Sequence, residues 1–279
     1  MIAIDNLTFH YKKQCDFIEK LTFYQECGSI VGLLGKNGAG KTTLLNLMAG
    51  LLNPREGSIM ISGYTPFDRL PDFLGDLFMV QEEFQFPQVS INLYLKATAS
   101  LYPGFDEEKL DGILNDFELD RKSRIDKLSQ GQRKKFLIAF ALATNCKLLL
   151  LDEPTNGLDI PSKSIFRKVL VRSLTEEQLV IISTHQVKDI EAILDAVVIL
   201  DQGKIIFNEN MEQITKHWQF RHVPSLNGIE EIVYSEKFPG GYKLLVEASD
   251  AEESEVDLEL LFKAIISKND LKSVVYEKK

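Results

Sequence analysis

Two groups of residues carry chemistry. Gly35-Lys36-Asn37-Gly38-Ala39-Gly40-Lys41-Thr42-Thr43 has the spacing G-x-x-x-x-G-K-[ST] of a phosphate-binding loop. Glycines there let successive backbone N–H groups turn toward a polyphosphate, with the positive end of the next helix behind them. Gly35, Asn37, Gly38, Ala39, Gly40, Lys41, Thr42 and Thr43 are therefore the expected nucleotide-binding set. Within it, Lys41 reaches the terminal phosphates and the Thr42 hydroxyl serves Mg2+. Farther along, Leu148-Leu149-Leu150-Leu151 runs into Asp152-Glu153-Pro154. In a nucleotide hydrolase such a pair has two tasks: Asp152 holds the metal, and Glu153 orients or deprotonates the attacking water. A solvated Asp-Glu pair is the bland reading, but four leucines seldom lead to one.

These residues need strands to deliver them. Ile30 to Leu34 reads as a buried strand entering the loop, and Leu44, Leu45, Leu47, Met48 and Leu51 recur at helical spacing behind it. Lys147 to Leu151 and Leu179 to Ser183 are apolar strands with titratable residues just past their ends, where open α/β sheets bind ligands. The second delivers His185, which on its own reads as an ordinary packed or surface histidine. Strands are also expected over Met1 to Tyr11, Leu21 to Tyr24, Ser58 to Gly63 and Leu77 to Val80, with a turn at Lys12-Lys13-Gln14 and a hairpin about Asp201 to Lys204. Between Gln81 and Cys146 helical patterns dominate, over Ile91 to Leu101 and Glu107 to Phe117. Past Met211 the pattern changes. Two strands, Ile229 to Tyr234 and Tyr242 to Val246, are followed by an acidic run and an amphipathic helix over Val256 to Ile266, with Leu258, Leu261, Phe262 and Ile265 on its apolar face.

Composition narrows the classes. The chain has 279 residues, 44% of them hydrophobic, which is enough for a sizeable core. Its net charge of −9 repels nucleic acid, and no nucleic-acid partner is expected. Cys15, Cys27 and Cys146 lack metal or redox spacing, so no disulfide is expected. No apolar run approaches the roughly 18 residues that span a bilayer, and Met1 to Leu7 has no leader-like pattern. Any membrane role must then come through another polypeptide.

Leu128-Ser129-Gln130-Gly131-Gln132, ahead of the helical stretch from Arg133, resembles the LSGGQ signature of the ATP-binding-cassette (ABC) family, and the likeness runs over about Met1 to Phe207. The family usually has glycine where this chain has Gln130. The resemblance implies that two ATPase subunits pack head to tail, with Ser129 and Gly131 of one completing the γ-phosphate site of the other. It further implies a Q-loop glutamine at Gln81 that senses metal and water, a D-loop Gly157-Leu158-Asp159 carrying Asp159 across the interface, a switch histidine at His185, and an adenine-stacking aromatic at Tyr11. A lone tyrosine there would otherwise read as packing. Expected catalytic residues are thus Glu153, His185 and Gln81, and expected metal ligands Thr42, Gln81 and Asp152.

The fold implied is α/β, a P-loop NTPase core whose mixed sheet is flanked by helices. Residues 1–210 form the ATPase domain with a helical subdomain at about 83–145, and residues 211–279 form a small α+β extension. The resemblance implies an ATP-hydrolysing motor subunit with ATP and Mg2+ as cofactors. It would work as a homodimer, or as a heterodimer with a related subunit, held by integral membrane permease subunits at the inner face of the cell membrane. Leu101 to Asp106 and Asp257 to Phe262 resemble exporter-type ATPases that partner separate ABC-2-like permeases. A soluble cassette ATPase serving a cytosolic assembly and a nucleotide-gated module without turnover are the alternatives. Phe84, Phe86 and Pro87 either form a groove for a permease helix or fill the helical subdomain.

Overall fold

A computed structural model describes residues 1–11, 17–229, 231–248 and 254–267. The expected turn at Lys12-Lys13-Gln14, Cys15 and part of the acidic run lie outside the described residues.

The sheet that positions the loop has six strands. In chain order the first elements are β1 (Ile2–Phe9), β2 (Ile18–Gln25), β3 (Ser29–Leu34), α1 (Lys41–Met48), β4 (Glu56–Ile61), α2 (Pro71–Gly75) and β5 (Leu77–Val80). The helical stretch is made of α3 (Ile91–Thr98), α4 (Glu107–Asp116) and α5 (Gln130–Ala143), and then come β6 (Leu148–Asp152), α6 (Ile160–Ser173), β7 (Leu179–Thr184), β8 (Ala196–Asp201) and β9 (Lys204–Asn210). The main sheet has the order β5-β6-β7-β3-β8-β9, parallel except for the β8–β9 hairpin. A second, antiparallel sheet, β2-β1-β4, lies beside it.

Continuous apolar runs are what a parallel sheet covered on both faces requires, and the side chains divide accordingly. Leu149 and Leu151 of β6, Val180 and Ile182 of β7 and Ile30 and Leu34 of β3 enter one core with α5 and α6. Leu148 and Leu150, Leu179 and Ile181, and Val31 and Leu33 enter the other, with α1 and the antiparallel sheet. Polar residues can then emerge only past the strand ends, and Asp152, Glu153, Thr184 and His185 do so at one edge.

Helix starts obey side-chain capping. Ser90 accepts from the Leu93 N–H ahead of α3, Asp106 from Lys109 ahead of α4, and Asp159 from Ser162 ahead of α6. At α5 Ser129 and Gln132 form a reciprocal capping box, satisfying two N–H groups that the helix leaves unpaired. Ahead of α1 no side chain does this; Gly40 takes φ +113°, a conformation that L side chains rarely adopt.

The C-terminal part is less separate than its sequence pattern implies. It comprises α7 (Met211–His217), β10 (Trp218–Val223), β11 (Ile232–Phe238), β12 (Gly241–Glu247) and α8 (Leu258–Ser267), with a sheet of order β10-β12-β11. Trp218, Phe220, Leu245, Leu258, Leu260, Leu261 and Ile265 share one continuous core with Val187, Ile190 and Leu194 of the segment after β7. The Leu258 N–H donates to Glu191 Oε1 at 2.6 Å, and Lys188 pairs with Glu259 at 2.8 Å. Leu260 joins the buried face of α8, while Phe262 is only partly buried.

Candidate nucleotide site

The loop, α1 and the ends of β6 and β7 enclose a cavity of about 450 Å3 lined by Lys36, Asn37, Gly38, Gly40, Lys41, Thr42, Thr43, Glu153 and His185, together with Phe17, Glu82 and Asn156. Lys41 is buried, and its Nζ donates to the Gly35 carbonyl at 2.8 Å and lies 3.8 Å from Glu153 Oε1. Burial lowers the Lys41 ammonium below the usual lysine range, opposed by the negative charges of Glu153, Asp152 and Glu82. Gly35 and the buried Ala39 support the loop without lining the cavity.

Thr42 Oγ1 donates to Asp152 Oδ2 at 2.8 Å, and the Ser183 hydroxyl donates to the other Asp152 oxygen. A hydroxyl and a carboxylate side by side below the loop are hard oxygen donors. They fit Mg2+, which takes one or two protein ligands and completes its shell with water and phosphate. Among the described residues no cluster of three or more His, Cys, Asp or Glu could hold a metal unaided. That accords with a metal carried partly by the nucleotide.

Glu153 is 5% exposed. Its Oε1 lies 2.7 Å from His185 Nδ1, and its Oε2 accepts from Thr184 Oγ1 at 3.1 Å. Its backbone has φ +45°, which places it among the left-handed non-glycine residues of the chain.

Not every residue expected here is here. Gln81 is exposed and does not line the cavity; its neighbour Glu82 does, with Oε1 accepting from Asn156 Nδ2 at 2.9 Å. Neighbours in extended chain point opposite ways, so a loop that turns Glu82 inward turns Gln81 out. Gln81 thus stands beside the cavity, one residue from Glu82 in its wall. Tyr11 stands beside the cavity rather than in its wall: it is 40% exposed, its hydroxyl lies 3.0 Å from Thr43 Oγ1, and its ring meets Phe9 and Phe17 edge-on. Phe17 lines the cavity itself.

Ser129, Gly131 and Asp159 lie outside the cavity of their own chain. Ser129 and Asp159 each cap a helix, and hydrogen bonds from Ser162 hold the Asp159 carboxyl below the usual range. The signature segment and the 157–159 loop touch: a Cβ on Gly131 would come within 3.1 Å of the Gly157 carbonyl oxygen. The Gln130 side chain is exposed, so it fits by pointing aside. Phe84 packs on Phe86, which packs on Tyr94 and Phe136, at 5.3–5.5 Å between ring centroids, so that both fill the helical part, and Pro87 is exposed. Cys146 is buried and its thiol is pushed up to about 12 by that burial, while Cys27 is free and exposed.

Reasoning from sequence missed Glu82, Asn156, Phe17, Ser183 and Thr184. Ser183 and Thr184 carried a signal, as polar residues closing an apolar strand directly before His185. The others depend on loop paths that have no period.

A glycine loop between a parallel strand and a helix, with carboxylates at the end of a strand two places along the same sheet, defines a P-loop nucleotide hydrolase. Residues 18–156 match the ABC transporter family. The chain is 30% identical over 243 residues to the molybdate import ATP-binding protein MolC of Haemophilus influenzae, covering 85% of this chain and 93% of that one. It is also 30% identical over 234 residues to the SkfA peptide export ATP-binding protein SkfE of Bacillus subtilis, covering 79% and 94%. A solved ATP-binding subunit of an ABC transporter superposes with a TM-score of 0.69 at 27% identity, covering 77% of this chain and 91% of that one. The chain belongs to the ATP-binding subunits of ABC transporters; it binds ATP and is an ATPase. No helix among the described residues is long and apolar enough to cross a membrane.

Proposed function

We propose that this chain is the motor subunit of an exporter, closing as a dimer around ATP and driving a separate membrane permease. The observation that carries the reading is the division of the site. Glu153, His185, Lys41 and Thr42 line one cavity, with Asp152 hydrogen-bonded to Thr42 behind its wall, while Ser129, Gly131 and Asp159 lie outside it. A second copy, or a related subunit, supplies Ser129 and Gly131 to the γ-phosphate through a hydroxyl, backbone N–H groups and the end of α5.

Within one subunit the tasks separate by position. The loop N–H groups and Lys41 bind the phosphates, and Tyr11 and Phe17 offer aromatic faces to the base. Mg2+ held by Thr42 and Asp152 neutralises charge on the phosphates when bound. Glu153 orients the attacking water and accepts its proton, held by His185 and Thr184. Glu82 lines the cavity wall beside Gln81, to which the family resemblance gives the sensing of metal and water. Export, rather than import, is favoured by the exporter-like segments Leu101 to Asp106 and Asp257 to Phe262 and by the export role named for SkfE; MolC is named for import.

The test uses Glu153→Gln with Mg-ATP. The expected result is a stable dimer by light scattering and co-purification of a polytopic membrane protein from detergent extracts. A variant that stays monomeric with ATP, alone and with the permease, contradicts the motor reading. Ser129→Arg is expected to spare ATP binding by the monomer and block dimer formation; loss of monomer affinity would contradict the role in trans. Transport direction is read in inverted vesicles carrying both subunits.

A further inference from the structure

Lys134 lies on α5, five residues after Ser129, and is 2% exposed. Lysines are almost never so buried unless paired, yet among the described residues no carboxylate lies within ion-pair distance of it. Its Nζ donates instead to two backbone carbonyls, Glu82 O at 3.2 Å and Glu153 O at 3.3 Å, and sits 5.5 Å from the centre of the Phe84 ring. One ammonium thus joins three segments: the signature helix, the loop after β5 and the loop after β6.

The contact with Glu153 falls on a strained residue. Glu153 has φ +45° and precedes Pro154, and both facts disfavour its conformation. Such a residue persists only where its surroundings over-determine it. Here its N–H donates to Ser183 O at 3.1 Å and approaches Ser183 Oγ at 3.2 Å, and its carbonyl accepts from the Asn156 N–H at 3.2 Å as well as from Lys134. The β7 end and the local turn hold it from within the core. Lys134 alone among these donors comes from the helical part.

We propose that Lys134 is a positioning residue that ties the backbone of Glu153 to α5, so that the aim of the Glu153 carboxylate tracks the position of the signature helix. Engagement of Ser129 and Gly131 by a partner and the setting of Glu153 are then one mechanical event. The proposal rests on the reading of Glu153 as the residue that orients water. Burial lowers the Lys134 ammonium below the usual lysine range, opposed by the charges of Glu82, Asp152 and Glu153.

The experiment compares Lys134→Met, Lys134→Gln and Lys134→Arg with wild type and with Glu153→Gln, each as the purified full chain, for Mg-ATP affinity and for kcat at saturating ATP. A misplaced carboxylate is expected to cost about tenfold to a hundredfold in kcat in Lys134→Met, with ATP affinity within about threefold of wild type. Lys134→Arg is expected to recover part of the loss, and Lys134→Gln to fall between. If Lys134→Met does not fold, Lys134→Gln decides: a lower kcat with affinity kept supports the proposal, and an unchanged kcat overturns it. A kcat within about twofold of wild type in folded Lys134→Met, or equal losses in kcat and affinity, also overturns it. Turnover surviving in Glu153→Gln would instead remove the parent reading.

Discussion

His185 Nδ1 and Glu153 Oε1 stand 2.7 Å apart, although they leave different strands, and Thr184 holds the second carboxylate oxygen. Removal of the ring in His185→Ala leaves Oε1 free to rotate. Turnover is expected to fall on the order of a hundredfold, with ATP affinity little changed. Steady-state hydrolysis and nucleotide titration check this, and equal losses in both would mean that His185 serves binding rather than the aim of Glu153.

Lys41 is the cation of the phosphate loop, and a ligand stabilises a protein only as far as it binds. At ATP a hundredfold above Kd the gain is about 2.7 kcal/mol. Lys41→Ala is expected to lose most of the ATP-dependent rise in Tm. An unchanged rise would contradict the assignment of the loop.

Thr42 and Asp152, in contact at 2.8 Å, are the proposed ligands of Mg2+. Asp152→Asn is expected to raise the Mg2+ concentration needed for half-maximal hydrolysis by about tenfold or more, with ATP affinity in EDTA unchanged. Equal Mg2+ requirements in the variant and the wild type would place the metal elsewhere.

Docking of α8 carries two opposite pH dependences. Burial raises the Glu191 carboxyl, so the folded chain holds that proton more tightly than the unfolded chain. Stability from this group falls as pH rises from the ordinary glutamate range through the raised value. Glu259 is drawn down to about 2 by hydrogen bonds from Lys188 and Lys263; its contribution is present above the ordinary range and is lost as pH falls toward 2. Glu191→Gln keeps an acceptor for the Leu258 N–H and removes the charge. Its Tm near neutral pH is expected to rise by a few degrees, and melts from pH 4 to 7 should become flatter than those of wild type. A lower Tm at neutral pH would show that the charge itself helps hold α8.

Local features were legible in the chain alone. The loop spacing, the four leucines before Asp152 and the apolar run before His185 each declare a strand and the polar group delivered at its end, because a strand buried on both faces admits no other pattern. Glu82 was not legible as a wall of the cavity, since the chain leaves β5 at Val80 and a loop path sets which side chains turn inward. Nothing in the spacing marks Lys134, whose burial comes from loops far away in sequence. α7 and β10 escaped because a helix of 7 residues runs straight into the strand with no turn residue to separate them. The tail likewise looked independent, when its apolar residues complete a core begun around Val187 and Ile190.

Because β3, β6 and β7 are gripped by apolar packing on both faces, the plate they form is stiff, and loss of a phosphate at its edge has little means of bending it. News of hydrolysis must leave sideways. The routes left are the tilt of α5 over its lysine pivot and the stretch from 185 to 193, on which the C-terminal helix rests, so that the far end of the chain is moored beside the nucleotide cavity.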